Sequence, residues 1–132
     1  LSEVIDAYLE RGRLCIIAHS HGAKVTSFAL ASLKQEGKIQ NRDPRLEVYT
    51  YGGVTAVPRE YAYQVGNYTN RNDHTQKLGK LVFRNKEKSA MWQPPAIEGS
   101  GHQFIEGYCP DAIEKIKGFV ANGGTLITLK TA

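Results

Sequence analysis

Between Arg13 and Leu30 the hydrophobic period changes within a few residues, and that change limits what the chain can fold into. Leu14-Cys15-Ile16-Ile17-Ala18 is short, continuously apolar and rich in isoleucine, the pattern of a strand covered on both faces. After Gly22, residues Val25, Phe28, Ala29, Ala31, Ser32 and Leu33 follow helical spacing, and Gly37 supplies a helix stop. The spacing predicts a strand, a tight turn and a helix, with Ser20 at the tip of Ala18-His19-Ser20-His21-Gly22. Glycine at 22 is expected to let the helix approach the strand closely.

A serine in that place has two readings. It can cap the helix, as serines often do. It can also stand clear of the sheet beside the positive end of a helix, where an alcohol becomes a usable nucleophile. The pattern for the second is G-x-S-x-G; the first glycine is here Ala18, which is small enough for the same packing.

Composition sets few further limits. The 132 residues suffice for one domain with one core. The net charge of +4 is modest, and its densest basic stretch, Lys77, Lys80, Arg84, Lys86 and Lys88, reads as a solvated loop or an acidic-surface contact. No aromatic-interleaved nucleic-acid motif occurs, so no nucleic-acid partner is expected. No apolar run reaches the ~18 residues of a membrane span. Neither a phosphate-binding loop nor a dinucleotide fingerprint is present. The two cysteines, Cys15 and Cys109, make no disulfide framework. Leu1, Val4, Ile5, Tyr8 and Leu9 already follow helical spacing. The chain is therefore expected to be a fragment, a processed product or a domain piece.

Other elements follow from the same rules. Leu1 to Glu10 reads as a helix, Leu46 to Tyr51 and Tyr63 to Thr69 as strands, and Pro58-Arg59-Glu60 as a short helical turn. Leu81-Val82-Phe83 and Thr125 to Leu129 are further strand candidates. Pro110 to about Ala121 reads as a last helix with Ile113, Ile116, Phe119 and Val120 on one face and Asn122-Gly123 at its end. Alternating strands and helices predict an α/β fold with a mostly parallel sheet flanked by helices. Sites in such sheets gather at the carboxyl ends of the strands.

Ser20 needs a base, because its hydroxyl is almost fully protonated at neutral pH. Among His19, His21, His74 and His102, the first two flank the serine on a turn that points adjacent side chains elsewhere. His21 is more useful for its backbone N–H, an oxyanion-hole donor. His102 lies in the loop Gly99-Ser100-Gly101-His102-Gln103-Phe104, from which a histidine can fold back over a nucleophile. Asp73, just past a predicted strand in Asn70-Arg71-Asn72-Asp73-His74, is the best acceptor to orient that histidine. The competing readings are a solvent-exposed His102 and a plain turn aspartate at 73. Asp43 lies in the wrong kind of loop, and Asp111 is explained by the preference of a helix's first turn for acid. A metal set of His19, His21 and Asp73 is rejected because alternate positions on a turn diverge.

The order Ser20, Asp73, His102 is that of α/β-hydrolases. The chain resembles that superfamily, and within it the lipase class 3 group. The resemblance rests on Ile16-Ile17-Ala18-His19-Ser20-His21-Gly22-Ala23, on Val48-Tyr49-Thr50-Tyr51-Gly52, on Tyr68-Thr69-Asn70-Arg71-Asn72-Asp73, and on His102 followed by Tyr108. It spans roughly residues 1 to 110 and covers only the carboxyl-terminal half of the usual fold. It implies a partial α/β-hydrolase fold with a nucleophile elbow, a lipid or acyl-ester substrate and no cofactor. Ser20 would attack the carbonyl, His102 would shuttle the proton and Asp73 would orient His102. The family's second oxyanion donor comes from a loop upstream of the elbow. An upstream segment of the same protein or a partner chain is thus expected to complete the fold and the activity.

Two alternatives stand beside hydrolysis. The same triad serves acyl transfer to an alcohol or amine. A catalytically silent hydrolase-like domain used for binding or assembly is suggested by the truncated fold, the basic stretch and the candidate edge strand Thr125 to Leu129. Tyr61, Tyr63, Trp92 and Phe104 either line an acyl pocket or pack a core, with core packing the preferred reading.

Overall fold

The computed structural model describes residues 1–69 and 108–124. Within them, the run Leu14–His19 forms strand β1 and His21–Gln35 forms helix α2, after a first helix α1 at Ser2–Leu9. Strand β2 covers Asp43–Tyr51, a single 3-10 turn covers Arg59–Tyr61, β3 covers Ala62–Tyr68, and helix α3 covers Cys109–Ala121. The three strands are parallel in the order β1-β2-β3. Their registers are level at one end: His19 pairs with Tyr51, and Tyr51 with Tyr68. This α/β sheet therefore has one even carboxyl edge, and β1 enters α2 directly from it.

Alternation sends the two faces of the sheet into separate cores. Leu14, Leu46, Val48 and Ala62 pack with Ile5 and Leu9 of α1 and with Ala29, Leu30 and Leu33 of α2. Val57, from the connection between β2 and β3, joins the same core. On the other face Tyr49, Tyr51 and Tyr68 pack with Tyr108 and Ala112, and Cys15 and Ile17 pack against them. Helix α3 runs antiparallel to β1. Tyr108, at its start, lies beside His19, whereas Asn122, at its end, accepts a hydrogen bond from Arg13 at 3.0 Å.

The element boundaries follow local chemistry. Gly37 (φ 74°) ends α2, with Lys38 N–H donating to the Leu33 carbonyl at 2.9 Å. Gly123 (φ 85°) ends α3, with Gly124 N–H reaching Phe119 at 2.9 Å. Strand β2 starts earlier than its apolar run because Asp43 anchors it. The buried Asp43 carboxylate accepts from the N–H groups of Gln40 and Arg45, and from Nε and Nη2 of Arg45 at 3.0 and 2.8 Å. The Arg45 bond holds the Asp43 pKa below the ordinary carboxylate range against the opposing effect of burial.

Two helix faces differ from the sequence reading. On α2 the buried residues are Ala23, Thr26, Ala29, Leu30 and Leu33, while Val25 and Phe28 are exposed. On α3 they are Ala112 and Phe119, while Ile113 and Val120 are exposed. Both helices therefore turn a different face inward from the one the apolar spacing picks out, with Leu30 and Leu33 buried on α2 and Phe119 on α3. The candidate strands Leu81-Val82-Phe83 and Thr125 to Leu129, the basic stretch from Lys77 to Lys88, Trp92 and Phe104 lie outside the described residues. Tyr61 packs against the α2-side core, as expected of a core residue, but Tyr63 is exposed on β3. No helix among the described residues is long and apolar enough to cross a membrane.

Candidate active site

Ser20 is the single residue between β1 and α2, and its backbone has φ 55° and ψ −122°. For a residue with a side chain this is a sparsely populated region, at a cost of roughly 1–3 kcal/mol. The helix-cap reading does not fit it. A capping serine sits in the β region and binds an N–H of the first turn, whereas Ser20 makes no side-chain cap hydrogen bond. The strained conformation is held from both sides. Ser20 N–H donates to the Tyr51 carbonyl at 3.0 Å, and the Ser20 carbonyl accepts from Ala23 N–H at 3.2 Å. The first continues the pairing of β1 with β2 by one residue, and the second opens α2.

The turn is tight because its neighbours are small. A Cβ placed on Gly22 would lie 3.6 Å from the Ala18 Cβ, an ordinary contact, so Gly22 is not what permits the close approach expected of it. The close approach is at Gly53. A Cβ there would lie 2.7 Å from the Ala23 Cβ and 3.0 Å from the Thr55 carbonyl oxygen. Gly53 thus seats the loop after β2 against the first turn of α2. Asn67 of β3 fixes the far side of that loop. Its side chain accepts from Thr50 Oγ1 at 2.7 Å and from Val57 N–H at 2.9 Å, and donates to the Val57 carbonyl at 3.1 Å.

The flanking histidines have different surroundings. His19 lies on the α3 side, its ring tilted 6.0 Å from that of Tyr108, and His21 is exposed. As the first residue of α2, His21 carries one of the N–H groups that a helix leaves outside its own ladder. Asp73 and His102 lie outside the described residues. The described residues that border this segment, up to Thr69 and from Tyr108, lie at the carboxyl edge. Tyr68 pairs with Tyr51 at the end of β3, and Gly52 N–H donates to the Tyr68 carbonyl at 2.9 Å. Tyr108 packs its ring against both His19 and Tyr51. No group of three His, Cys, Asp or Glu side chains suited to a metal occurs among the described residues.

Beside the turn is a cluster that sequence reasoning missed. The fully buried Tyr51 stacks on Tyr68 with ring centroids 5.2 Å apart, and its hydroxyl donates to Asp111 Oδ2 at 2.7 Å. Asp111 is therefore more than a first-turn acid. Burial, and next the Asp111 bond, push the Tyr51 hydroxyl far above the ordinary tyrosine range. Burial works against the Lys115 charge, but a hydrogen bond to Tyr68 holds its pKa above the ordinary lysine value, and its Nζ lies 5.3 Å from the Tyr68 ring centre. Cys15 is pushed up to about 12 by burial and the nearby Glu47, so it is a neutral thiol and an unsuitable nucleophile. The available signal was the placing of Tyr51 and Tyr68 at the ends of two adjacent strands, with Asp111 one residue past the proline that opens α3.

No family model matches the sequence, and comparison with curated proteins and with solved structures returns no match.

Proposed function

We propose that the protein is a serine hydrolase that cleaves a carboxylic ester of a lipid or acyl substrate, with Ser20 as its nucleophile. One observation carries the reading: Ser20 holds a strained φ/ψ pair at the carboxyl edge of a parallel sheet, where a strand enters a helix. That geometry has no use in capping and lifts the hydroxyl off the sheet beside the positive end of α2. In this reading the sheet and helices are part of an α/β-hydrolase fold.

His102 is assigned as the base and Asp73 as the acceptor that orients it. Asp73 follows Thr69 by four residues and His102 precedes Tyr108 by six, so chain length lets both reach the edge where Ser20 stands. The chemistry proceeds in two halves. Ser20 Oγ bonds to the ester carbonyl carbon while His102 takes its proton, and the oxyanion accepts a hydrogen bond from His21 N–H. Collapse breaks the C–O bond and releases the alcohol with the proton from His102. Water then attacks the acyl-enzyme, giving its proton to His102, and Ser20 regains a proton as the acid leaves. An alcohol or amine in place of water would give acyl transfer.

Ester turnover tests this assignment. Ser20→Ala and His102→Ala should each lower kcat by about 10⁴-fold or more, and the double variant should be no worse than either, because members of a triad act as a unit. Hydrolysis retained in Ser20→Ala would refute the assignment.

A further inference from the structure

The strain at Ser20 persists only if its surroundings impose it, and Tyr51 is one of the residues through which they reach it. Tyr51 meets the turn by its backbone: its carbonyl accepts the Ser20 N–H at 3.0 Å. Its side chain points to the opposite face of the sheet from α2, where, among the described residues, Tyr68, Tyr108 and Asp111 hold it. The ring stacks on Tyr68 at 5.2 Å, tilts against Tyr108 at 5.6 Å, and carries the hydroxyl bonded to Asp111 at 2.7 Å. Of these, the bond to Asp111 is the directional one, and Asp111 is fixed in the first turn of α3. A hydrogen bond to a carboxylate acceptor is among the stronger of its kind, and this one is partly buried.

We propose that Tyr51 and Asp111 are positioning residues for the Ser20 turn: their hydrogen bond locks the Tyr51 backbone so that its carbonyl keeps Ser20 in the strained conformation. The inference joins α3, on one face of the sheet, to a turn that feeds α2 on the other. Its effect on reactivity rests on the reading of Ser20 as nucleophile, whereas its effect on the Ser20 backbone does not.

The test is amide hydrogen exchange of the whole chain, with and without Tyr51→Phe, read at Ser20 and at Leu30 and Val48 in the other core. Tyr51→Phe keeps the ring and removes only the hydroxyl. The Ser20 amide should exchange about tenfold faster relative to Leu30 and Val48, a change of ~1.4 kcal/mol at the turn. Asp111→Asn, which keeps an acceptor oxygen, should recover most of the protection, while Asp111→Ala should match Tyr51→Phe. If Ser20, Leu30 and Val48 all accelerate by the same factor, or none changes, the positioning role is wrong. Should Tyr51→Phe fail to fold, the comparison of Asp111→Asn with Asp111→Ala decides. Labelling of Ser20 by a fluorophosphonate, followed in the same variants, should slow about tenfold in step with the exchange. Wild-type protein that never labels but shows the exchange pattern would remove the hydrolase reading and leave the positioning role intact.

Discussion

At Ser20 the side chain opposes the conformation that the fold requires. Glycine reaches that region without a Cβ clash, so Ser20→Gly should raise stability by about 1 kcal/mol over the parent, while Ser20→Ala keeps the strain and should not. Urea unfolding of the three proteins measures this, and a destabilised Ser20→Gly would mean that the turn is relaxed. Gly53 presents the opposite case: Ala at 53 meets the Ala23 Cβ and the Thr55 carbonyl, and overpacking of this kind costs roughly 1–3 kcal/mol. The loss from Gly53→Ala should appear as a lower urea midpoint with an unchanged slope. Gly66 is similar, because a Cβ there would fall 2.6 Å from the Tyr68 ring, which is held by its stack on Tyr51.

At the scale of elements, the strand, turn and helix around Ser20 were legible because three local signals agree: an apolar β run, a change of period, and Gly37 as a stop. The faces of α2 and α3 were not. Apolar spacing allows several rotations of a helix, and tertiary packing, which no local pattern records, selects among them. Ala23, Thr26, Ala29, Leu30 and Leu33 turn inward on α2, and Val25 and Phe28 stay exposed. The cluster of Tyr51, Tyr68, Tyr108 and Asp111 was hidden for a different reason: it joins residues up to 60 positions apart, and no local pattern records that distance. The turn carrying Ser20 could be read from sequence; what holds it in place could not. Strand β2 also carries a pH dependence. The Asp43 carboxyl is held below its unfolded value of about 3.9, so its stabilisation is complete above that value and is lost as pH falls through the folded one. Urea midpoints measured between pH 5 and pH 2 should fall less steeply in Asp43→Asn than in the parent; parallel curves would show that Asp43 contributes nothing to acid stability.

For the whole molecule, the layers of helix, parallel sheet and helix bring distant parts of the chain to one edge. Strand β1 supplies Ser20, β2 the carbonyl that holds it, β3 Tyr68, and α3 begins beside Tyr108. The level registers of His19, Tyr51 and Tyr68 make that edge a single platform. The hydrolase reading requires the serine on this platform to be reactive. Incubation of the protein with a fluorophosphonate, followed by peptide mapping, tests that claim most directly. A reactive Ser20 should give one adduct, on the peptide containing Ser20, absent in Ser20→Ala and absent after unfolding. An adduct on another serine, or equal labelling of folded and unfolded protein, would contradict it.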